Sequence, residues 1–346
     1  MNKNLLLSKL LVVIQMLTGV LIARLLVLNF GPESLLVYAE FVNYSSVFVA
    51  LSGGMFGSAI VRYVAKERCF GSRNIKVIHS SIILPYTFVL AAILIILYHL
   101  TPSYTPKSVL IFAVIFVPIR VLARHWFAIV QGKEDFKKLL VSELLVFFGA
   151  LSSMLVALIL GEQYFYYAFI LSVIPAVLFL SKDYWVDFPS SISRKHLLNH
   201  GFFKFGFYSL GSALSLSLIS LYMRDEVSAA GSGYLAVEWQ AVFSVSNYYV
   251  LIISVPISTV ILPLFSKGQQ LDRAKIWKMC LILLLVCTTS TVMIYFSKDL
   301  IEYILFSSLI EMPSSLLLIY LGAGTFKILH VILTQKFLAI GDVWSP

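Results

Sequence analysis

The stretch Leu17–Glu33, LTGVLIARLLVLNFGPE, decides how the chain is read. Apolar residues fill it on both sides of Arg24, and it closes on a Gly31-Pro32 turn signal. The run from Leu10 to Phe30 is long enough, at about 1.5 Å per residue, to cross roughly 30 Å of hydrocarbon. It therefore reads as a membrane span. A guanidinium inside such a span costs roughly 2.5 kcal/mol or more, so Arg24 must gain something in return.

The rest of the chain follows the same pattern. Its 346 residues are 60% hydrophobic and 12% charged, against about 25% charged in soluble domains. The mean hydropathy is +0.92. Ten spans are predicted: Leu10–Phe30, Tyr38–Val61, Val77–Leu97, Ser108–Val130, Leu139–Leu160, Tyr164–Leu180, Phe202–Met223, Val237–Leu264, Ile276–Phe296 and Ser315–Leu333. Between them lie short loops, none large enough for a soluble catalytic domain. Cys69, Cys280 and Cys287 have no CxxC spacing and read as apolar fillers, with no metal site and no disulfide framework. No cofactor motif is present.

The net charge of +9 would suggest nucleic acid in a soluble protein. Here topology explains it. Nineteen of the 26 Lys and Arg residues fall in one alternating set of loops and two, Lys107 and Lys298, in the other. The positive-inside rule then predicts a cytoplasmic N-terminus. Five cations remain inside or at the edge of spans: Arg24, Arg120, Arg124, Arg224 and Lys327.

The halves also match each other. Arg24 meets Arg224 at an offset of 200; AEF at Ala39–Phe41 meets VEW at Val237–Trp239 at 198; Lys66 meets Lys267 at 201; Arg120 meets Lys327 at 207; Gly132 meets Gly341 at 209. A parallel duplication follows: a six-helix bundle over 1–181, a cytoplasmic linker over 182–201, and a four-helix bundle over 202–346. On this reading the second bundle lacks two helices, so about ten of an expected twelve are present and the chain is expected to be C-terminally truncated. A genuine ten-helix protein is the alternative.

The segment YMRDEVSAAGSGYLAVEWQAVFSVSNYYVLIISVPISTVILPLFSK, Tyr222–Lys267, resembles the seventh–eighth helix region of Wzx-type flippases. ARLLVLNFGPESLLVYAEF, with RYVAKE at Arg62–Glu67, resembles their first hairpin. These flippases belong to the multidrug/oligosaccharidyl-lipid/polysaccharide exporter superfamily. The resemblance implies an all-α polytopic membrane protein of two pseudo-symmetric helical bundles (MATE/MurJ-like), in the bacterial inner membrane. It also implies alternating access and a partner substrate, undecaprenyl pyrophosphate carrying a short O-antigen or enterobacterial common antigen glycan, with polysaccharide polymerase machinery as a further partner.

Moving such a lipid needs cations for phosphate and polar groups for sugars. Arg24, Arg120, Arg124, Arg224 and Lys327 are the candidate cations. Asn43, Gln240 and Asn247 are candidate glycan contacts, from the stripes Glu40, Asn43, Ser46, Ala50, Gly53, Gly57 and Gln240, Ser244, Asn247, Ser254, Ser258. For Ala50, Gly53 and Gly57 close helix packing is the stronger reading. Trp239 and Tyr248 are candidate sugar stackers, and Pro256 a candidate bend. Glu40, Glu143 and Glu238 are candidates for a coupling H⁺ or Na⁺. Glu40 and Glu238 could instead neutralise Arg24 and Arg224 across their hairpins. His125, beside Arg124, shows no sequence partner. No catalytic pair stands out, so a transporter is expected rather than an enzyme. Two alternatives to the flippase are a multidrug or organic-cation exporter of the same superfamily and, further off, a membrane glycan polymerase or ligase.

Overall fold

The computed structural model describes residues 3–67, 105–181, 202–231, 233–266 and 273–340. The described residues form helices and connecting turns, with no strand among them. In chain order the α-helices are α1 (Lys3–Phe30), α2 (Ser34–Leu51), α3 (Gly57–Glu67), α4 (Lys107–Gly132), α5 (Phe136–Leu160), α6 (Glu162–Leu171), α7 (Ile174–Ser181), α8 (Phe202–Ala230), α9 (Gly233–Ser266), α10 (Arg273–Phe296), α11 (Lys298–Phe306) and α12 (Ser314–Ile340).

Among the described residues, five stretches are long and apolar enough to cross a membrane: Leu10–Phe30, Ser34–Leu51, Lys107–Gly132, Phe136–Leu160 and Glu162–Ser181. Cys280–Phe296 and Lys298–Phe306, bent by 74° to each other, pass the same test only as a pair, as a broken span or a re-entrant loop would. The chain is a multi-pass membrane protein. The expected third span, Val77–Leu97, the 182–201 linker, Cys69 and Gly341 lie outside the described residues.

The second expected span, Tyr38–Val61, is corrected. Its helix stops at Leu51, passes through a 3-10 turn at Gly54–Phe56 and restarts at Gly57. Gly53 sits at the break with φ 109°, a left-handed conformation that costs other residues roughly 1–2 kcal/mol. The eighth span is longer than expected: α9 runs from Gly233 to Ser266 and continues as helix through Pro256.

The chain divides into two compact units, Met1–Leu36 with Met223–Pro346, and Val37–Tyr222. In the first, α9 and α12 pack most closely, and α1 lies against α9 and α11. Its core joins Ala23 and Val27 of α1 to Val242 and Val245 of α9 and Leu317 and Leu321 of α12. In the second, α4 packs on α3, α6 and α7, and α5 on α6 and α7. Helices approach closely where side chains are small. A Cβ on Gly132 of α4 would lie 2.7 Å from the Cβ of Val64 on α3.

Candidate functional site

In the Val37–Tyr222 unit, α4 carries Arg120 and Arg124 one turn apart. Arg120 is half-buried, with its guanidinium 5.9 Å from the Phe169 ring centre, within the range of a cation–π contact. Arg124 is exposed and runs past Gly57, where an added Cβ would stand 3.7 Å from Arg124 Cγ and Nε. The small-residue stripe of the broken span thus faces α4. His125, fully buried, puts Nε2 2.9 Å from the Gly53 carbonyl. Facing a carbonyl, that nitrogen donates. The partner that the sequence did not reveal for His125 is the backbone at the break.

Glu40 is buried, with 2% exposure. Its Oε2 accepts from the Thr105 backbone N–H at 2.6 Å and from the Thr105 hydroxyl at 2.8 Å. Thr105 stands immediately before Pro106, whose carbonyl accepts the first helical bond of α4, from Leu110 N. A carboxylate at a helix N-terminus meets the positive end of the backbone dipoles. Asn43 on α2 and Glu143 on α5 are half-buried.

Ser217, Ser220 and Arg224 of α8 are all buried, as their spacing predicts; Arg224, which falls in the other unit, is only 1% exposed. Arg224 Nη2 donates to Gln240 Oε1 at 2.8 Å, and Gln240 Nε2 donates to Ser244 Oγ at 3.2 Å. Two residues singled out separately in the sequence, Arg224 and Gln240, therefore form one chain with Ser244. Glu238, Asn247 and Lys327 are half-buried.

Arg24 takes a backbone partner. Its Nη1 donates to the Ile304 carbonyl, and its guanidinium lies 6.0 Å from the Tyr303 ring centre. Ile304 is in the last turn of α11, where carbonyls have no partner in their own helix. Ser308 N, which a continuing helix would offer to Ile304, bonds Glu302 O instead at 3.2 Å, because Ser307 and Ser308 turn left-handed. Arg24 fills the vacated acceptor, and its charge suits a helix C-terminus.

Trp239 needs a correction as a sugar stacker. Trp239 is buried, stacked on Phe243, and donates its indole N–H to Tyr320 Oη at 2.7 Å. Tyr248 packs on the core of its unit and against Gly19 of α1.

The sequence reading missed Glu302. It is buried, accepts from Met312 N at 2.6 Å and lies 3.5 Å from Lys298 Nζ. Among the described residues no cluster of His, Cys, Asp and Glu could hold a metal ion.

No family model and no curated protein matches the chain. Solved structures do. The outward-facing conformation of a multidrug resistance MATE family transporter of the MOP superfamily superposes with a TM-score of 0.68 at 18% identity. That match covers 98% of this chain and 81% of the other. MATE in the straight conformation gives 0.68 at 18% identity, over 98% and 85% of the two chains. MATE in complex with MaD5 gives 0.67 at 18%, over 98% and 86%. The chain thus has the all-α polytopic fold of MATE transporters.

Proposed function

We propose that the chain is a membrane exporter working by alternating access, without chemistry of its own. The observation that carries this reading is the likeness to MATE transporters across nearly the whole chain. On that likeness a multidrug exporter stands first, since one of these neighbours is described as a multidrug resistance transporter.

A separate observation favours the flippase for undecaprenyl-pyrophosphate-linked oligosaccharide: five cations on the helices, which suit an anionic cargo better than a cationic one. Two of the five already donate hydrogen bonds within the protein, Arg24 to a helix end and Arg224 to Gln240. Arg120, Arg124 and Lys327 are therefore the groups on which this second reading depends. The loop-charge asymmetry supports a cytoplasmic N-terminus in the inner membrane.

Two bacterial strains separate the readings, one stripped of drug exporters and one lacking its oligosaccharide flippase. Expression of the full chain should raise the inhibitory concentration of ethidium at least fourfold in the first if the multidrug reading holds. Restored surface polysaccharide in the second would favour the flippase. Arg120→Ala with Lys327→Ala should then abolish the restoration. Failure in both strains, with the protein inserted and folded, would reject the exporter reading.

A further inference from the structure

The segments TPKSVLIF at Thr105–Phe112 and MPSSLLLI at Met312–Ile319 stand at an offset of 207, the same as Arg120 and Lys327. Each opens a long helix, α4 and α12, behind a proline. Pro106 O accepts from Leu110 N at 3.3 Å, and Pro313 O accepts from Leu317 N at 2.9 Å. In both helices the residue before the proline gives its N–H to a buried carboxylate at 2.6 Å: Thr105 to Glu40, Met312 to Glu302. The two carboxylates are not related by the repeat. Glu40 lies on α2 and Glu302 on α11. The same helix start is held in the same way by groups from different places.

We infer that Glu40 and Glu302 are an equivalent pair of positioning residues, each fixing the axial register of the helix that carries an embedded cation. The distance from pinned N–H to cation is the same in each. Arg120 and Lys327 both follow 15 residues later, about 22 Å along the axis. Apolar side chains alone specify axial register weakly, because a helix shifted by a turn can seat its ridges in the next grooves. A single short, charge-assisted bond at the N-terminus forbids that, because the N–H before a proline has no other place in the helix ladder. Glu40 has the fuller hold, since the Thr105 hydroxyl donates as well. Glu302 shares its carboxylate with Lys298. The register claim stands apart from any substrate. Only the use of Arg120 and Lys327 on a cargo rests on the exporter reading.

The test is a disulfide ladder in the full chain, with Cys69, Cys280 and Cys287 replaced by Ser. The rings of Phe112 on α4 and Tyr167 on α6 meet at 5.1 Å. Cysteine at 167 is paired in turn with cysteine at Ile111, Phe112 or Ala113, and the oxidised yield is read by gel mobility. With Glu40 present, the 112 pair should exceed its neighbours at least fivefold. Glu40→Ala should bring the three within twofold. Glu40→Gln, whose amide oxygen still accepts from Thr105 N, should keep at least a threefold preference. For α12, cysteine at Val250 is paired with cysteine at Ala323, Gly324 or Thr325, because an added Cβ on Gly324 would come 3.0 Å from Val250 Cγ2. Glu302→Ala should blur that ladder in the same way. Unchanged ladders in either alanine variant would reduce that carboxylate to a local cap and overturn the pairing. A Glu40→Gln ladder as blurred as that of Glu40→Ala would overturn the register argument itself. If Glu40→Ala fails to accumulate, Thr105→Val removes one of the two donors and should narrow the preference to about half. No narrowing there would also count against the proposal. Loss or retention of export in these variants is scored separately, so failure of the exporter reading leaves the ladders interpretable.

Discussion

In the Val37–Tyr222 unit the broken span is α2–α3, and the carbonyl at its break, Gly53 O, faces His125 of α4. In the unit that holds α9–α12 the break lies between α10 and α11, and the acceptor left open at the far end of α11, Ile304 O, faces Arg24 of α1. The carbonyl at the first break and the one at the far end of α11 each accept from a side chain on a neighbouring helix of the same unit. The means differ. The first break bends at a glycine, which takes positive φ without strain, and is met by a fully buried imidazole. The second ends on two serines with positive φ and is met by a longer, half-exposed guanidinium. The first should therefore be the stiffer and more costly to disturb, and the second the softer.

Four substitutions break or sharpen that contrast, each read as thermal unfolding of the purified full chain. His125→Leu should do most harm, about 2 kcal/mol, because it takes one of two donors from the Gly53 carbonyl, leaving Phe56 N at 3.0 Å, and misfits a fully buried site. Gly53→Ala should follow at about 1.5 kcal/mol, the cost of a Cβ at positive φ. If Gly53→Ala proves harmless, the break is not held in this conformation. Arg24→Ala should cost less, about 1 kcal/mol, since its site is half-exposed and not sealed in the core. Arg24→Lys keeps the charge at the helix end and should recover about half of that loss. An Arg24→Ala effect larger than that of His125→Leu would invert the comparison.

Much of the fold was legible in the sequence because apolar runs of span length need no tertiary context to be recognised. Positions such as Ser217, Ser220 and Arg224 were legible too, because one helix face shows directly in i, i+3, i+4 spacing. The break at Gly53 was not. Its stripe of small residues read equally well as an unbroken helix packed closely on another, and only φ 109° decides. Arg24 was legible as costly but not as a cap, since its partner is a backbone carbonyl 280 residues away and carbonyls have no sequence signature. Glu302 was missed for the same reason, its acceptor role resting on a backbone N–H at Met312. The sign that could have found it was the proline pair Pro106 and Pro313, at the offset already known from Arg120 and Lys327. Trp239 misled because an aromatic ring looks alike in the sequence whether it lines a cavity or fills a core.

The smallest effect is expected at Ser307, and it should be a gain. Ser307 and Ser308 have φ 53° and 57°, a conformation that costs a residue with a Cβ roughly 1–2 kcal/mol. Glycine removes that cost but adds roughly 0.5–1 kcal/mol of backbone entropy to the unfolded chain. The two nearly cancel, leaving about 0.5 kcal/mol in favour of Ser307→Gly. A further term separates the two serines. The Ser307 hydroxyl is buried and has no hydrogen-bond partner among the described residues, whereas Ser308 is exposed. Removing an unsatisfied buried hydroxyl is favourable, and removing a hydrated one is not. Ser307→Gly should therefore stabilise more than Ser308→Gly, and the order is a firmer expectation than either magnitude. Equal gains would mean that only the dihedral matters. A loss at Ser307 with Arg24 intact would mean that the Ser307 hydroxyl holds the end of α11 as firmly as His125 holds Gly53, and the end of α11 would no longer be the softer of the two.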